Sequence, residues 1–234
     1  MFDALTPSEL EALRLSLKVA AVSVFASLPA GFALAWLLAR HRFPGKSLLD
    51  AVVHLPLVLP PVVIGYLLLV LFGRRGPFGQ WLEDTFGIVF AFRWTGAALA
   101  CAVMGLPLLV RAIRQSLEAT DRRLEAAAAT LGAGRLWVLA SVTVPLSLPG
   151  IVTGMLLSFA RSLGEFGATI TFVSNIPGET QTLPLAIYSY TQVPGGDAQA
   201  MRLCIISVLL SLAALLVSEV LVRRANRRVY GDAN

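Results

Sequence analysis

DRRLEAAAATLGAGRLWVLASVTVPLSLP, residues 121–149, is the one stretch of this 234-residue chain that resembles neither a lipid-solvated helix nor an ordinary connecting loop. Its start is charged, with Asp121, Arg122, Arg123 and Glu125 around Leu124. Ala126, Ala127, Ala128, Ala129 and Leu131 then make a strong helix-forming set, which Gly132 can end by taking a left-handed backbone. Such a helix is about three turns long. It is too short and too polar at one end to cross a bilayer, yet apolar sequence flanks it on both sides. The expectation is a helix lying at a membrane face with one side free for a partner.

Composition sets the frame for that helix. With 56% hydrophobic residues, 14% charged residues and a mean hydropathy of +0.75, the chain lacks the charge to cover a soluble surface. The fold class expected is an all-α polytopic membrane protein of about five transmembrane helices. Thr6-Pro7-Ser8-Glu9 has the pattern of a capping box with proline in the first turn, and residues 19–39 follow without charge. The acids in the first 18 residues argue for a retained first span over a cleaved signal peptide. A second span is expected at 51–73, kinked by Pro56, Pro60 and Pro61 and packed on protein because its freed carbonyls cannot face lipid. His54, within it, is expected to be a satisfied buried histidine. Residues 74–93 form an outer loop, and a third span covers 94–110, ending at Arg111 and Arg114.

The apolar stretch 136–173 is too long for one crossing. Pro145 and Pro149 favour an interfacial segment up to Ser147 and a crossing from there to 173. Residues 183–193 are too few to cross and form a short outer helix; the last span is 201–222, where Glu219 is near enough to the inner end to snorkel. Of the 19 Lys and Arg, 12 fall in segments that this arrangement puts inside, so the N-terminus is expected outside and the C-terminus inside. Cys101 and Cys204 lie in apolar segments as packing residues. The organisation is then an outer segment 1–11, a transmembrane domain 12–222 and a basic tail 223–234, the tail at anionic lipid and not at nucleic acid.

Ala126, Ala127, Ala128, Gly132, Val142, Val144 and Pro145 have the spacing of the EAA loop of bacterial ABC importer permeases, and the chain resembles that family. It departs from the pattern in one place: Ala126 stands where the family has glutamate, and Glu125 is one residue early. The run FARSLGEFGATITFVSNIP, residues 159–177, is similar to the molybdate permeases of that family, with sulfate permeases as near relatives. The resemblance implies a type I importer permease fold in the inner membrane of a bacterium, with 121–134 as a cytoplasmic coupling helix. The residues implied to touch an ATP-binding cassette subunit are Asp121, Arg122, Glu125, Ala126, Ala127, Ala128, Leu131, Gly132 and Ala133. The implied partners are a second copy of the chain, two ATPase subunits and a periplasmic molybdate-binding protein.

The sequence contains no Gly-rich phosphate loop, no catalytic constellation and no metal-ligand cluster, so no cofactor is expected and the ATPase would be a separate chain. A lone arginine in hydrocarbon costs about 2.5–3.5 kcal/mol, so Arg161 should pair with Glu165 four residues on, with Gly164 and Gly167 admitting a neighbouring helix. In this family context the pair is expected to face the dimer interface or the translocation path; an earlier crossing would leave it at the outer surface. Thr169, Thr171 and Ser174 are the path hydroxyls expected with it, or else helix-bridging residues. The importer could carry sulfate, thiosulfate or tungstate in place of molybdate. The rival class is an ion-gradient-driven transporter or channel, which inverted repeats or carboxylate clusters in the membrane would favour.

Overall fold

The computed structural model describes residues 6–230, with side chains through Arg224. The first five residues of the 1–11 segment and the tail arginines Arg227 and Arg228 therefore lie outside what can be compared with expectation. Helix α1 spans Pro7–Arg40 and starts as its sequence dictates: the Thr6 hydroxyl accepts from the Glu9 amide, and the Glu9 carboxylate accepts from the Thr6 amide at 2.8 Å. Helix α5, Trp94–Ala119, is the central element, packed along α1 on one side and along α9, Leu148–Leu163, on the other. Leu109, Val110, Ile113 and Leu117 of α5 are fully buried against Ala35, Leu38 and Val53. α5 continues nine residues past the expected end of the third span, because Arg114 there is braced by Asp50 at 3.0 Å and Glu118 at 2.8 Å.

The second expected span is not a kinked helix. It is two helices, α2 (Lys46–Val58) and α3 (Pro61–Phe72), bent by 114°. The two prolines at the corner explain why. A residue before proline is driven out of the helical region, and Leu59 and Pro60, each followed by proline, sit at ψ 144° and 134°. Pro61 then starts α3 at a position where its missing N–H costs nothing. His54 is half-buried, its Nδ1 2.8 Å from the Asp50 carbonyl oxygen. The expected outer loop contains a further helix, α4, Pro77–Phe86, starting at a proline and ending at Gly87 in the left-handed region.

After α5 come α6 (Arg122–Thr130) and α7 (Arg135–Val138), a π-helical turn at Leu139–Thr143, and α8 (Val144–Leu146). Pro145 supplies no N–H for the carbonyl four residues back and crowds it, which accounts for the widened turn. The segment Arg135–Leu146 meets α9 at 66°, so the direction changes at Ser147 as expected. The crossing does not continue as one helix to 173, however. α9 stops at Leu163, residues 164–166 are non-helical, and α10 covers only Gly167–Val173. α11, Leu183–Thr191, is the expected short helix; α12, Asp197–Tyr230, packs on α9 and α11. Glu219 pairs with Arg223 at 2.7 Å on its exposed side. Among the described residues three helices are long and apolar enough to cross a membrane, or five if each bent pair is one span.

α3 and α10 are in close backbone contact. A Cβ on Gly65 of α3 would lie 2.5 Å from the Ala168 carbonyl oxygen of α10, and one on Gly167 would lie 2.8 Å from Pro61 Cβ. Gly164, expected to admit a neighbour, has nothing within 4 Å. Helix propensity alone would make Gly65→Ala stabilising by about 1 kcal/mol. The contact with a backbone oxygen outweighs that, since overpacking costs about 1–3 kcal/mol. Gly65→Ala should lower the melting midpoint of the purified protein, whereas Gly164→Ala should leave it unchanged; equal midpoints for the two variants would contradict this packing.

Candidate functional site

Two places carry the residues singled out by sequence. The first is α6. Asp121 caps it, its carboxylate accepting from the Arg123 amide at 2.9 Å, and Gly132 ends it at φ +85°. One side of the helix is tied to the chain's own body. Glu125 Oε1 accepts from Arg40 Nη2 at 2.7 Å and from the Thr143 hydroxyl at 2.9 Å, joining the end of α1, α6 and the π-helical turn at one oxygen. Arg122 donates to the Ala39 carbonyl at 3.2 Å, meeting one of the carbonyls that the end of α1 leaves open. Arg122 and Glu125 therefore spend their polar groups internally. Asp121, Ala126, Ala127, Leu131 and Gly132 are exposed, while Ala128 and Ala133 are half-buried.

The free side is strongly apolar beyond those alanines. Leu131 is 89% exposed, Leu136 82% and Trp137 63%, on the turn from α6 into α7. Sequence reasoning did not single out Leu136 and Trp137. The signal was present in two large apolar side chains soon after Gly132 and Gly134, which nothing among the described residues covers.

The second place is the break between α9 and α10. Arg161 Nη1 lies 2.7 Å from Glu165 Oε2, so the expected ion pair forms, although α9 has ended before Glu165 and the two do not share a helix face. Glu165 is 2% exposed. Its Oε1 accepts from the Ala168 amide at 2.8 Å, capping α10, while Oε2 has the arginine's charge but no aligned donor. Ser162, beside the pair, meets Ser23 of α1 at 3.1 Å, inside the charge-free run of that helix. Thr169 is fully buried and its hydroxyl donates to the Phe166 carbonyl; that of half-buried Thr171 donates to the Gly167 carbonyl, both at 2.8 Å. Ser174 is exposed at the end of α10 with φ +65° and ψ −164°, a backbone conformation that L-residues other than glycine rarely hold. α9 and α10 thus bring Arg161 and Glu165 together, and leave Thr169, Thr171 and Ser174 bonded locally or apart.

The α6 geometry generates a direct test. Glu125 is the one carboxylate within 4 Å of Arg40 among the described residues, and the arginine side chain is only 8% exposed. Removing the acceptor should cost about 1.5–3 kcal/mol of the hold on α6, the range for hydrogen bonds to charged groups. Glu125→Ala should therefore let trypsin cut at Arg122 and Arg123 roughly tenfold faster, with Glu125→Gln between it and the native chain. Unchanged cleavage would show that the pair does not hold the helix.

Residues 27–229 match the family described as "Binding-protein-dependent transport system inner membrane component". The chain is 62% identical over 224 residues to the molybdenum transport system permease protein ModB of Escherichia coli strain K12, covering 96% of this chain and 98% of that one. To the protein of the same name in Haemophilus influenzae it is 58% identical, covering 97% and 98%. The sulfate transport system permease protein CysT of Escherichia coli K12 is 40% identical, over 86% of this chain and 72% of its own length. Among solved structures, an inward-facing form of the MetNI methionine ABC transporter superposes with a TM-score of 0.72 at 16% identity, covering 96% of this chain and 99% of that one, which shows the fold. With its broken spans, its half-tethered surface helix and these matches along nearly its whole length, the chain belongs to the binding-protein-dependent transport system inner membrane components and is a multi-pass permease subunit of an ABC importer.

Proposed function

We propose that this permease carries molybdate. The observation that supports this most is the contrast in identity, 62% to a molybdenum permease against 40% to a sulfate permease. On this reading two copies of the chain form the path and a periplasmic binding protein delivers the anion. Two ATPase subunits dock on the free side of α6, on Leu131, Leu136 and Trp137 together with Asp121, Ala126 and Ala127. The α6 end of the molecule is cytoplasmic, as is the C-terminus, and the N-terminus is periplasmic. ATP binding draws the ATPases together and carries the α6 helices with them. Because Glu125 ties α6 to α1, each permease body follows as a unit and the pair rocks between inward-open and outward-open states. Gradient-driven transport is the competing class, and the exposed apolar turn after α6 favours an ATPase-docking surface over it.

Arg161 and Glu165 sit at the path on this reading. The Ser162 contact with mid-helix Ser23 supports a position within the apolar layer and not at its surface. There an arginine already paired with a carboxylate offers a passing dianion N–H donors with no net charge and so no deep well, and the ion leaves as easily as it enters.

In proteoliposomes holding the permease, its ATPase and a molybdate-loaded binding protein, labelled molybdate should accumulate only with ATP inside the compartment facing α6. Accumulation driven by an ion gradient with the ATPase omitted would overturn the class. Gly132→Val should abolish copurification of the ATPase while membrane insertion persists, because valine resists φ +85°; normal copurification would remove α6 as the docking element. Arg161→Ala should cut uptake at least about tenfold, equivalent to about 1.4 kcal/mol at the barrier. A cysteine introduced by Arg161→Cys that reacts with an outside impermeant reagent in every nucleotide state would contradict the path assignment.

A further inference from the structure

A cavity of about 510 Å³ lies where the end of α1, the turn into α2 and the start of α6 meet, lined by Ala39, Arg40, His41, Arg42, Lys46 and Arg122. Four permanently charged cations and a histidine line it, and no carboxylate does. Among the described residues Arg42 and Lys46 have no acidic partner within 4 Å, and Arg122 makes only its bond to the Ala39 carbonyl. Arg40, 92% buried by the 8% exposure of its side chain, spends Nη2 on Glu125 and leaves Nε buried without an acceptor. A buried guanidinium N–H without a partner is costly, and a negative charge held in the cavity beside it would offset part of that cost. The adjoining start of α2 adds to this. Its cap is Gly45, which has no side chain, and no acid stands in its first turn, so its end partial charge is uncompensated.

We propose that this cavity binds a tetrahedral oxyanion of the phosphate class. Planar guanidinium groups and an ammonium match phosphate oxygens, and a basic pocket beside transmembrane helices at a bilayer face suits an anionic lipid headgroup as well as a free anion. The site touches the docking helix through Arg40 and Arg122. An anion held there neutralises cations of which only Arg40 has a carboxylate partner, Glu125, and joins the start of α6 to the end of α1 through Arg122 and Arg40.

The test uses the purified permease in phosphatidylcholine nanodiscs, read by native mass spectrometry. One arm adds phosphatidylglycerol and the other inorganic phosphate. Arg42→Gln with Lys46→Gln removes one exposed and one half-buried cation, neither within 4 Å of a carboxylate among the described residues, and the melting midpoint checks that folding is unaffected; Arg74→Gln with Arg75→Gln removes the same charge elsewhere as the control. The native chain and the control should hold one anion each, and the cavity variant should bind at least about tenfold more weakly. Binding in the lipid arm alone identifies a headgroup, and binding in the phosphate arm alone identifies a free anion. Equal loss in the control would reduce the effect to net charge and overturn the site. So would a native chain that binds neither anion, including the case where the cavity variant instead loses its ATPase, which would assign the cations to the partner protein.

Discussion

A carboxylate taken out of water costs several kcal/mol unless a cation goes with it, and this chain buries two of them, Glu9 and Glu165, and half-buries a third, Glu125, at the places where its helices must be joined. Glu9 is 1% exposed and receives Nε and Nη2 of Arg202 at 3.1 and 2.7 Å, fastening the first turn of α1 to the start of α12. Glu125 takes Arg40 and fastens α6 to α1; Glu165 takes Arg161 across the gap between α9 and α10. Each arginine comes from an element other than its partner's. The apolar surfaces alone could not specify these junctions, because in lipid a leucine gains little by choosing protein over an acyl chain. α12 shows the point: none of its most apolar window is buried, and its hold on the rest rests on Leu203, on Arg202 and on the α9 and α11 faces.

Backbone breaks are the second ingredient, and the same accounting limits where they occur. Lipid cannot satisfy a freed amide or carbonyl, so a break inside the apolar layer has to be covered by protein. The helices that follow the corner at Leu59 and Pro60 and the gap at 164–166 pack on one another. Pro61 lies against Gly167, and Gly65 lies against Ala168 and Thr171. Glu165 supplies the acceptor that the open start of α10 needs, so its charge serves both the arginine and the backbone. The construction leaves α3 and α10 as short helices packed on one another, each set apart from the helix before it by a break in the backbone.

Much of this was legible beforehand where local chemistry decides. The Thr6 to Glu9 capping box, the left-handed Gly132, the turn at Ser147, the helix too short to cross and the Arg161 to Glu165 pair all follow from residue type and spacing. The failures share a cause, which is that they depend on contacts between segments distant in sequence. Two consecutive prolines announce a break but not an angle of 114°. Gly164 and Gly167 look alike in sequence, and only the position of Pro61 decides which one is packed. Glu125 was legible as part of a surface helix; that Arg40, 85 residues away, would claim it was not. Leu136 and Trp137 went unassigned for the opposite reason, since apolar side chains in so apolar a chain stand out only once the fold leaves them uncovered.

The central claim is that the Glu125 junction makes α6 and α1 one moving body. Spin labels at Ala33 and Ala129 of the same chain, diluted with unlabelled chain in the assembled transporter, measure that directly. The account predicts a separation constant to within about 2 Å between nucleotide-free and ATP-bound states, while the Ala129 to Ala129 separation between the two copies changes. A shift of about 5 Å or more between Ala33 and Ala129, a helical turn of slippage, would contradict it.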